Sequence, residues 1–189
     1  MKTTGQRERA PRRAASAMAI VLALCAAATL SFANDEARRP SAAGDPASLR
    51  AAYLYNFALY TTWPTGQAGS FALCSYGRDD LGAALDALAG RQIDGKPLQV
   101  RRIDSVNEAK SCHLLYVSEA TAGSLAPVAR ALQASPVLVV SDAAGAAEHA
   151  MIQIEPDGNR LAFAVNLPRV RSAGLDLSAK LLRLARSVR

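Results

Sequence analysis

The stretch His113-Leu-Leu-Tyr-Val-Ser118 is nearly all apolar, and it decides the fold class that the sequence predicts. A strand with one solvent-facing side alternates apolar and polar residues. This run has no such alternation, so both of its faces are expected to be buried, as in a parallel sheet. Pro136-Val-Leu-Val-Val-Ser141 repeats the pattern further along the chain. We therefore expect a mainly parallel sheet at the centre of the protein.

Predicted strands and helices alternate outward from these two runs. Upstream lie two more strands, and helices are predicted over about 80–89 and 121–133. Downstream, Asp157-Gly158 is a strong turn signal for a hairpin between two further strands. This order predicts an α/β fold, a three-layer sandwich with a mainly parallel central sheet, an antiparallel hairpin near its edge, and N- and C-terminal helices packed on it. The four additional strands are expected at Phe71–Tyr76, Leu98–Ile103, Met151–Ile154 and Leu161–Val165.

The N-terminal helix is predicted from an aromatic stretch, Leu49–Pro64, in which Asp45 or Ser48 is the expected N-cap. The helix is expected to end at Trp63, because a residue that precedes proline is pushed out of the helical region. Tyr55 and Leu59 make the face opposite its main aromatic stripe apolar as well. We interpret the helix as covered from two directions, by its own domain and by a partner. The main stripe consists of Tyr53, Phe57 and Tyr60, with Leu54 and Ala58 beside it.

The C-terminal helix is predicted from Leu177 to Val188, since leucines and a valine recur there at helical spacing. The other side of this helix is basic. These cations are explained either by the helix dipole, which favours positive charge near a C-terminus, or by an anionic docking surface. With Tyr55 and Leu59, the basic residues form the candidate partner interface, and those singled out are Lys180, Arg183 and Arg186.

Charge and composition divide the chain into three segments. The first 33 residues hold five of the 22 basic and one of the 16 acidic residues, which leaves a net charge of +2 on the rest. A charge this close to neutral does not indicate nucleic-acid binding. Basic residues followed by an Ala-rich apolar run and Ser31-Phe32-Ala33 indicate a cleaved signal peptide over residues 1–33. An uncleaved membrane anchor is the alternative. We expect a flexible lead-in over 34–48 and a single α/β domain over 49–189.

Two cysteines, Cys74 and Cys112, remain if the segment 1–33 is removed. In an oxidising compartment such a pair most often forms a disulfide, and two buried free thiols are the alternative. A metal site is disfavoured, because Cys112 and His113 are neighbours on a predicted strand, where successive side chains point to opposite faces. We expect no bound metal and no cofactor.

Catalytic constellations are scarce in this sequence. It has no Gly-rich phosphate loop, no histidines at metal spacing and no nucleophile elbow. The loops that follow the first and fourth predicted strands lie where open parallel sheets bind ligands. They give a candidate ligand site at Gly77, Arg78, Ser141 and Asp142, although Ser-Asp after a strand is more often a turn or a helix cap.

Motifs along most of the chain resemble those of the YfiR-type periplasmic proteins. The matches begin with the aromatic run that ends in Trp63-Pro64 and continue in order to the C-terminal segment. Some members of that family carry a second cysteine pair, which this chain lacks, since 143–153 contains no cysteine. The other motifs that carry the resemblance are Phe71–Gly77, Ser111–Ser118, Pro136–Asp142, Met151-Ile152, Glu155–Arg160, Val165–Leu167 and Gly174–Ala185.

The resemblance implies a periplasmic, dimeric repressor of an inner-membrane diguanylate cyclase. Bound to the sensor domain of the cyclase, such a protein lowers cyclic di-GMP and biofilm formation, and an outer-membrane lipoprotein can sequester it. It also implies that the cysteines at positions 74 and 112 can pair. We therefore expect a regulatory binding protein rather than an enzyme. The alternatives are a periplasmic carrier or sensor of a nucleotide or amino acid and, least favoured, a hydrolase.

Overall fold

Eight of the strands form one sheet, with helices on both of its faces. The computed structural model describes residues 45–64, 69–158 and 160–189, so the predicted signal peptide and residues 34–44 of the predicted lead-in lie outside the described residues. The strands in the described residues are Thr61–Thr62 (β1), Phe71–Tyr76 (β2), Gln92–Ile93 (β3), Lys96–Ile103 (β4), Leu114–Val117 (β5), Leu138–Ser141 (β6), Ile152–Asp157 (β7), Arg160–Val165 (β8), Asp176–Leu177 (β9) and Ser187–Val188 (β10).

Apart from α1, the α-helices of the described residues are short, with four to seven residues each. Two 3₁₀ segments, Glu119–Ser124 and Ala146–Glu148, complete the helical structure of the described residues. The α-helices there are Pro46–Leu59 (α1), Ala83–Asp86 (α2), Val106–Ala109 (α3), Leu125–Ala131 (α4), Leu167–Ser172 (α5) and Ala179–Leu184 (α6).

The large sheet has the strand order β3-β4-β2-β5-β6-β7-β8-β10. Strands β4, β2, β5, β6 and β7 are parallel to one another, whereas β7 and β8 form the antiparallel hairpin that Asp157-Gly158 predicted. The short strands β1 and β9 pair separately. The fold class predicted from the sequence is therefore confirmed.

Each face of the sheet has its own buried core, and strand alternation assigns side chains to one or the other. In β5, Leu114 and Tyr116 face the core that α1, α2, α5 and α6 cover, while Leu115 and Val117 face the core that α3 and α4 cover. All four of these side chains are buried. The two cores and the sheet between them make the three layers that the all-apolar strands indicated.

Helix α1 begins after the first of its two predicted N-caps, but it ends earlier than the sequence indicated. Asp45 is its N-cap and accepts hydrogen bonds from the backbone of Ala47 and Ser48, so the helix begins at Pro46. It ends at Leu59 rather than at Trp63, which corrects the prediction from Pro64. The reason is non-local: the β-branched pair Thr61–Thr62 joins β9 in a two-stranded ribbon.

The C-terminal helix is also shorter than predicted, because α6 ends at Leu184 and Ala185 is extended. The next residues form β10, which lies parallel to β8 at the edge of the sheet. The prediction of one helix through Val188 was therefore wrong. Among the residues at helical spacing there, Leu181 is buried, whereas Leu184 and Val188 are exposed.

Two inner helices were predicted too long. The segment over about 80–89 has only the four-residue α2, and the segment over 121–133 opens as a 3₁₀ turn before α4. The apolar face of the first segment is buried nonetheless, and Asp79 accepts hydrogen bonds from the backbone of Leu81 and Gly82. Its buried leucines are Leu81, Leu85 and Leu88.

Candidate interaction groove

A groove of about 770 Å³ lies between α1, the β7–β8 hairpin and α6. Its walls combine aromatic and aliphatic side chains with charged groups from the hairpin and from Arg186. Concave apolar surfaces with a few polar groups are the usual form of binding sites. The lining residues are Tyr53, Asn56, Phe57, Tyr60, Asp157, Arg160, Leu161, Ala162, Phe163, Leu181, Leu184 and Arg186.

Three aromatic rings form one wall of this groove. The ring of Phe57 meets that of Phe163 edge to face at 5.0 Å between centroids, and Tyr53 contacts both rings at 5.8 and 6.2 Å. The Tyr53 hydroxyl donates to the Leu161 carbonyl oxygen at 2.7 Å. This bond and the edge-to-face packing hold the three rings together, with Phe57 and Phe163 buried and Tyr53 partly exposed.

Charged side chains lie along the margin of the groove. The Lys180 ammonium lies 5.1 Å from the centroid of the Tyr60 ring, a cation–π contact. Arg186 pairs with Asp157 at 2.5 Å and with Glu155 at 3.7 Å. Leu184 stands among these groups with 66% of its surface exposed. An exposed leucine beside an aromatic wall and a charged margin is the arrangement of a protein interface.

The candidate interface residues do not all lie on this groove. Arg186 lines the groove and Lys180 covers one of its tyrosines, whereas Tyr55 and Leu59 lie on another side of α1. The Tyr55 hydroxyl donates to the Gln92 carbonyl oxygen at 3.1 Å, and the Arg91 guanidinium lies over its ring. Leu59 is 39% exposed and Tyr55 is partly exposed, so neither residue is fully buried. That these residues contact a partner stays a prediction.

Arg183, the last of the candidate interface residues, is exposed on α6. The sequence reasoning missed the contribution of the hairpin, since Phe163 reads as an ordinary strand residue. It also placed Leu184 on the inner face of a helix. Leu161 and Phe163 could have indicated the role of the hairpin, because they place a second apolar surface next to its charged turn.

The four residues of the candidate ligand site follow two different strands. The Gly77 N–H donates to the Ile103 carbonyl oxygen, and the Ser141 hydroxyl donates to the Val117 carbonyl oxygen, so both groups are already used within the fold. Arg78 is exposed. Asp142 lines a cavity of about 280 Å³, and its carboxylate is 2.8 Å from the Arg50 Nε. Ligand binding by this set stays a prediction.

The two cysteines that follow the predicted signal peptide form a disulfide. Cys74 lies on β2 and Cys112 lies just before β5, with their Cα atoms 6.0 Å apart. Both side chains are buried in the core that α3 and α4 cover. Within residues 45–64, 69–158 and 160–189, no cluster of three or more His, Cys, Asp or Glu side chains is arranged to hold a metal ion.

Comparison with known proteins decides the family. The model of the YfiR/HmsC-like family matches residues 47–186, which span every strand of the large sheet except β10. The chain belongs to the YfiR/HmsC-like family. Membership in this family confirms the resemblance seen in the sequence motifs. A search among curated protein sequences found no match to the chain.

Among solved structures, the fold is similar to one described as the ABC domain in complex with L-Trp from Streptococcus pneumoniae. The TM-score is 0.50 at 12% sequence identity, and the match covers 77% of this chain and 61% of that one. The chain therefore spans about three fifths of the length of that structure. At this identity the likeness concerns the fold alone. In the described part of this family member, every helix is too short or too polar to cross a lipid bilayer.

Proposed function

We propose that the protein is a periplasmic regulatory binding protein that represses an inner-membrane diguanylate cyclase and so lowers cyclic di-GMP and biofilm formation. The observation that carries the proposal is membership in the YfiR/HmsC-like family over residues 47–186. The family is regulatory rather than catalytic, so binding to another protein is the activity to explain.

The proposed location is the periplasm, reached through a cleaved signal peptide over residues 1–33. The Cys74–Cys112 disulfide supports this location, because structural disulfides form and persist in oxidising compartments. The basic segment followed by an Ala-rich apolar run supports export on the sequence side.

The proposed partners are the periplasmic sensor domain of the cyclase, an outer-membrane lipoprotein that sequesters the repressor, and a second copy of the chain. The groove between α1 and α6 is our candidate for the surface that meets the cyclase. Its support is the combination of an aromatic wall with Leu184, which is largely exposed in the isolated chain. Burial of one such side chain contributes about 2 kcal/mol to binding.

Two matched variants of the mature protein test this assignment. Leu184→Glu places a charge in the groove, whereas Leu49→Glu makes the same exchange at a leucine of α1 that is 38% exposed and does not line the groove. In co-purification from membranes followed by mass spectrometry, Leu184→Glu should lose the cyclase and Leu49→Glu should retain it. Equal recovery of the cyclase by both variants would rule out the groove, and no cyclase with the wild-type protein would overturn the proposed function.

A further inference from the structure

The outer edge of β4 is open along more than half of the strand. Strand β3 pairs with only the first two residues of β4, and the Leu98 backbone then bonds to Arg91 and Gly90. Beyond this cover lie residues 99–103, the first four of which are exposed or partly exposed. In the described part of the chain, no strand lies on their outer side. The open edge is about 17 Å long, and it is separated from the β7–β8 hairpin by the central strands.

Four backbone groups point out of this edge. The Leu98 N–H and C=O both bond on the outer side, whereas the Ile103 C=O accepts a bond from the Gly77 N–H on the β2 side. Strand alternation therefore directs the N–H and C=O groups of Val100 and Arg102 outward. Among the described residues, these groups have no hydrogen-bond partner. An unpaired edge of this kind can pair with a strand from another chain.

The arginines of β4 leave this backbone uncovered. Charged side chains commonly protect a sheet edge from pairing. Here the Arg102 guanidinium is 2.7 Å from the Asp79 carboxylate and 2.9 Å from that of Asp86, and Arg101 donates to the Ser111 hydroxyl at 2.9 Å. Asp79 follows β2 and Ser111 precedes β5, so both arginine side chains reach inward over the sheet, away from its edge.

A cationic cavity of about 510 Å³ lies beside this edge, on the face of the sheet that α3 and α4 cover. Gln99 and Arg101 of β4 line it together with Lys110, and no acidic side chain lines it among the described residues. In a strand added to the edge, the residue opposite Arg101 points to this same face. An acidic side chain at that place lies next to two cations, whereas a basic one is repelled.

We propose that the β4 edge binds an extended acidic segment of another protein as an added antiparallel strand. The backbone of the segment exchanges hydrogen bonds with Val100 and Arg102, and a Glu or Asp between the two paired positions lies beside Arg101 and Lys110. Backbone bonds then supply affinity, and the acidic side chain supplies specificity. The surface does not depend on the regulatory function proposed above.

A second copy of the chain fits this edge less well. If two β4 edges pair antiparallel through Val100 and Arg102, the two copies of Arg101 lie directly opposite each other. Like charges in directly opposite positions destabilise strand pairing. The occupant favoured by the charges is therefore an acidic segment.

Titration of the isotopically labelled mature protein with the capped peptide acetyl-Thr-Thr-Val-Glu-Val-Thr-Thr-amide, followed by NMR of the backbone amides, tests the proposal. The amide resonances of Val100 and Arg102 should shift, because their N–H groups gain acceptors. The same peptide with Lys in place of Glu should bind about tenfold more weakly, since its charge then faces two cations. No shifts with the Glu peptide, or shifts only at amides away from β4, would overturn the proposal.

Charge reversal at Arg101 tests the specificity and leaves the backbone of β4 unchanged. Arg101→Glu should bind the Lys peptide more tightly than the Glu peptide. Arg130→Glu is the matched control, because it makes the same exchange at an exposed arginine of α4 that does not line the cavity, and it should keep the preference for the Glu peptide. An unchanged preference in Arg101→Glu would overturn the proposal.

Val100→Pro tests the backbone bonds. It removes one outward N–H and leaves the bonds to β2 in place, and proline is tolerated on edge strands where the N–H faces solvent. The variant should keep the amide spectrum of the folded protein and lose binding of the Glu peptide. If the variant does not fold, the charge reversal decides. A wild-type dimer that Val100→Pro converts into a monomer would place a second copy at this edge and overturn the proposal.

Discussion

His113 is held by contacts that depend on its being neutral. The backbone N–H of Ala72 donates to His113 Nδ1 at 3.0 Å, and the Phe71 ring stacks on the imidazole at 4.7 Å between centroids. Since Nδ1 accepts this bond, the ring proton belongs on Nε2. Burial, together with the positive charge of Lys96, lowers the pKa of His113 below its ordinary value of 6.5.

This lowered pKa makes stability depend on pH with a definite sign. The unfolded chain takes up a proton near pH 6.5 while the folded protein resists it, so the free energy of unfolding should fall as the pH drops below about 6.5. His113→Asn keeps an acceptor for Ala72 but does not titrate, so the loss of stability between pH 7 and 5 should shrink. Urea denaturation at several pH values measures this.

The same exchange at His149, which is partly exposed, is the control for this experiment. The loss of stability of His149→Asn between pH 7 and 5 is the reference with which that of His113→Asn is compared. An undiminished loss of stability in acid for His113→Asn would show that other groups carry the effect.

The Cys74–Cys112 disulfide closes a long loop between β2 and β5. On the chain-entropy model, such a cross-link stabilises the fold by about 4 kcal/mol, and strain reduces the gain. Cys74→Ser should therefore lower the free energy of unfolding by about 2 to 4 kcal/mol under oxidising conditions. Guanidinium denaturation with and without reductant measures this, and the two proteins should become similar once the wild type is reduced. Thiol labelling of the unreduced, denatured wild-type protein that finds both of these cysteines reactive would contradict the bond.

At the scale of elements, the C-terminal segment shows which parts of the fold were predictable. Strands with uninterrupted apolar runs, such as β5 and β6, were correctly predicted. A strand that is buried on both faces consists almost entirely of apolar residues, so its composition alone indicates it. The segment after Leu184 keeps helical spacing, yet the structure places it in a strand. This segment pairs with residues of β8 that lie 23 positions earlier (Ser187 with Ala164), and a pattern of local periodicity contains no information about such distant pairing.

Removal of β10 should therefore weaken the edge of the sheet. The Leu167 N–H donates to the Arg189 carbonyl oxygen at 2.8 Å, and the Arg189 N–H donates to the Val165 carbonyl oxygen at 3.1 Å. A chain that ends at Arg186 keeps the ion pairs of Arg186 and loses these two bonds. We expect a loss of about 1 to 3 kcal/mol in unfolding free energy by urea denaturation.

The control for the truncation is Val188→Thr in the full-length protein, which keeps the backbone bonds and changes only an exposed side chain. It should unfold like the wild type. If the truncated chain is as stable as the wild type, β10 contributes nothing to the sheet.

At the scale of the whole molecule, the groove was more predictable from the sequence than the charged cluster around Tyr116. The aromatic wall of the groove was visible in part, since Phe57 and Tyr53 lie on the predicted helical stripe. The charged cluster around Tyr116 was not, because this strand was read as nearly all apolar and the charged neighbours, Arg50, Asp80 and Asp142, come from three separate segments. Such clusters arise only when the crossover connections bring strand ends together.

The central claim is that the protein represses a diguanylate cyclase, and the level of cyclic di-GMP in cells tests it most directly. Deletion of the gene should raise the nucleotide, and export of the wild-type protein should restore the low level. Leu49→Glu should restore it equally, whereas Leu184→Glu should not. An unchanged level of cyclic di-GMP after deletion, under several envelope stresses, would contradict the account.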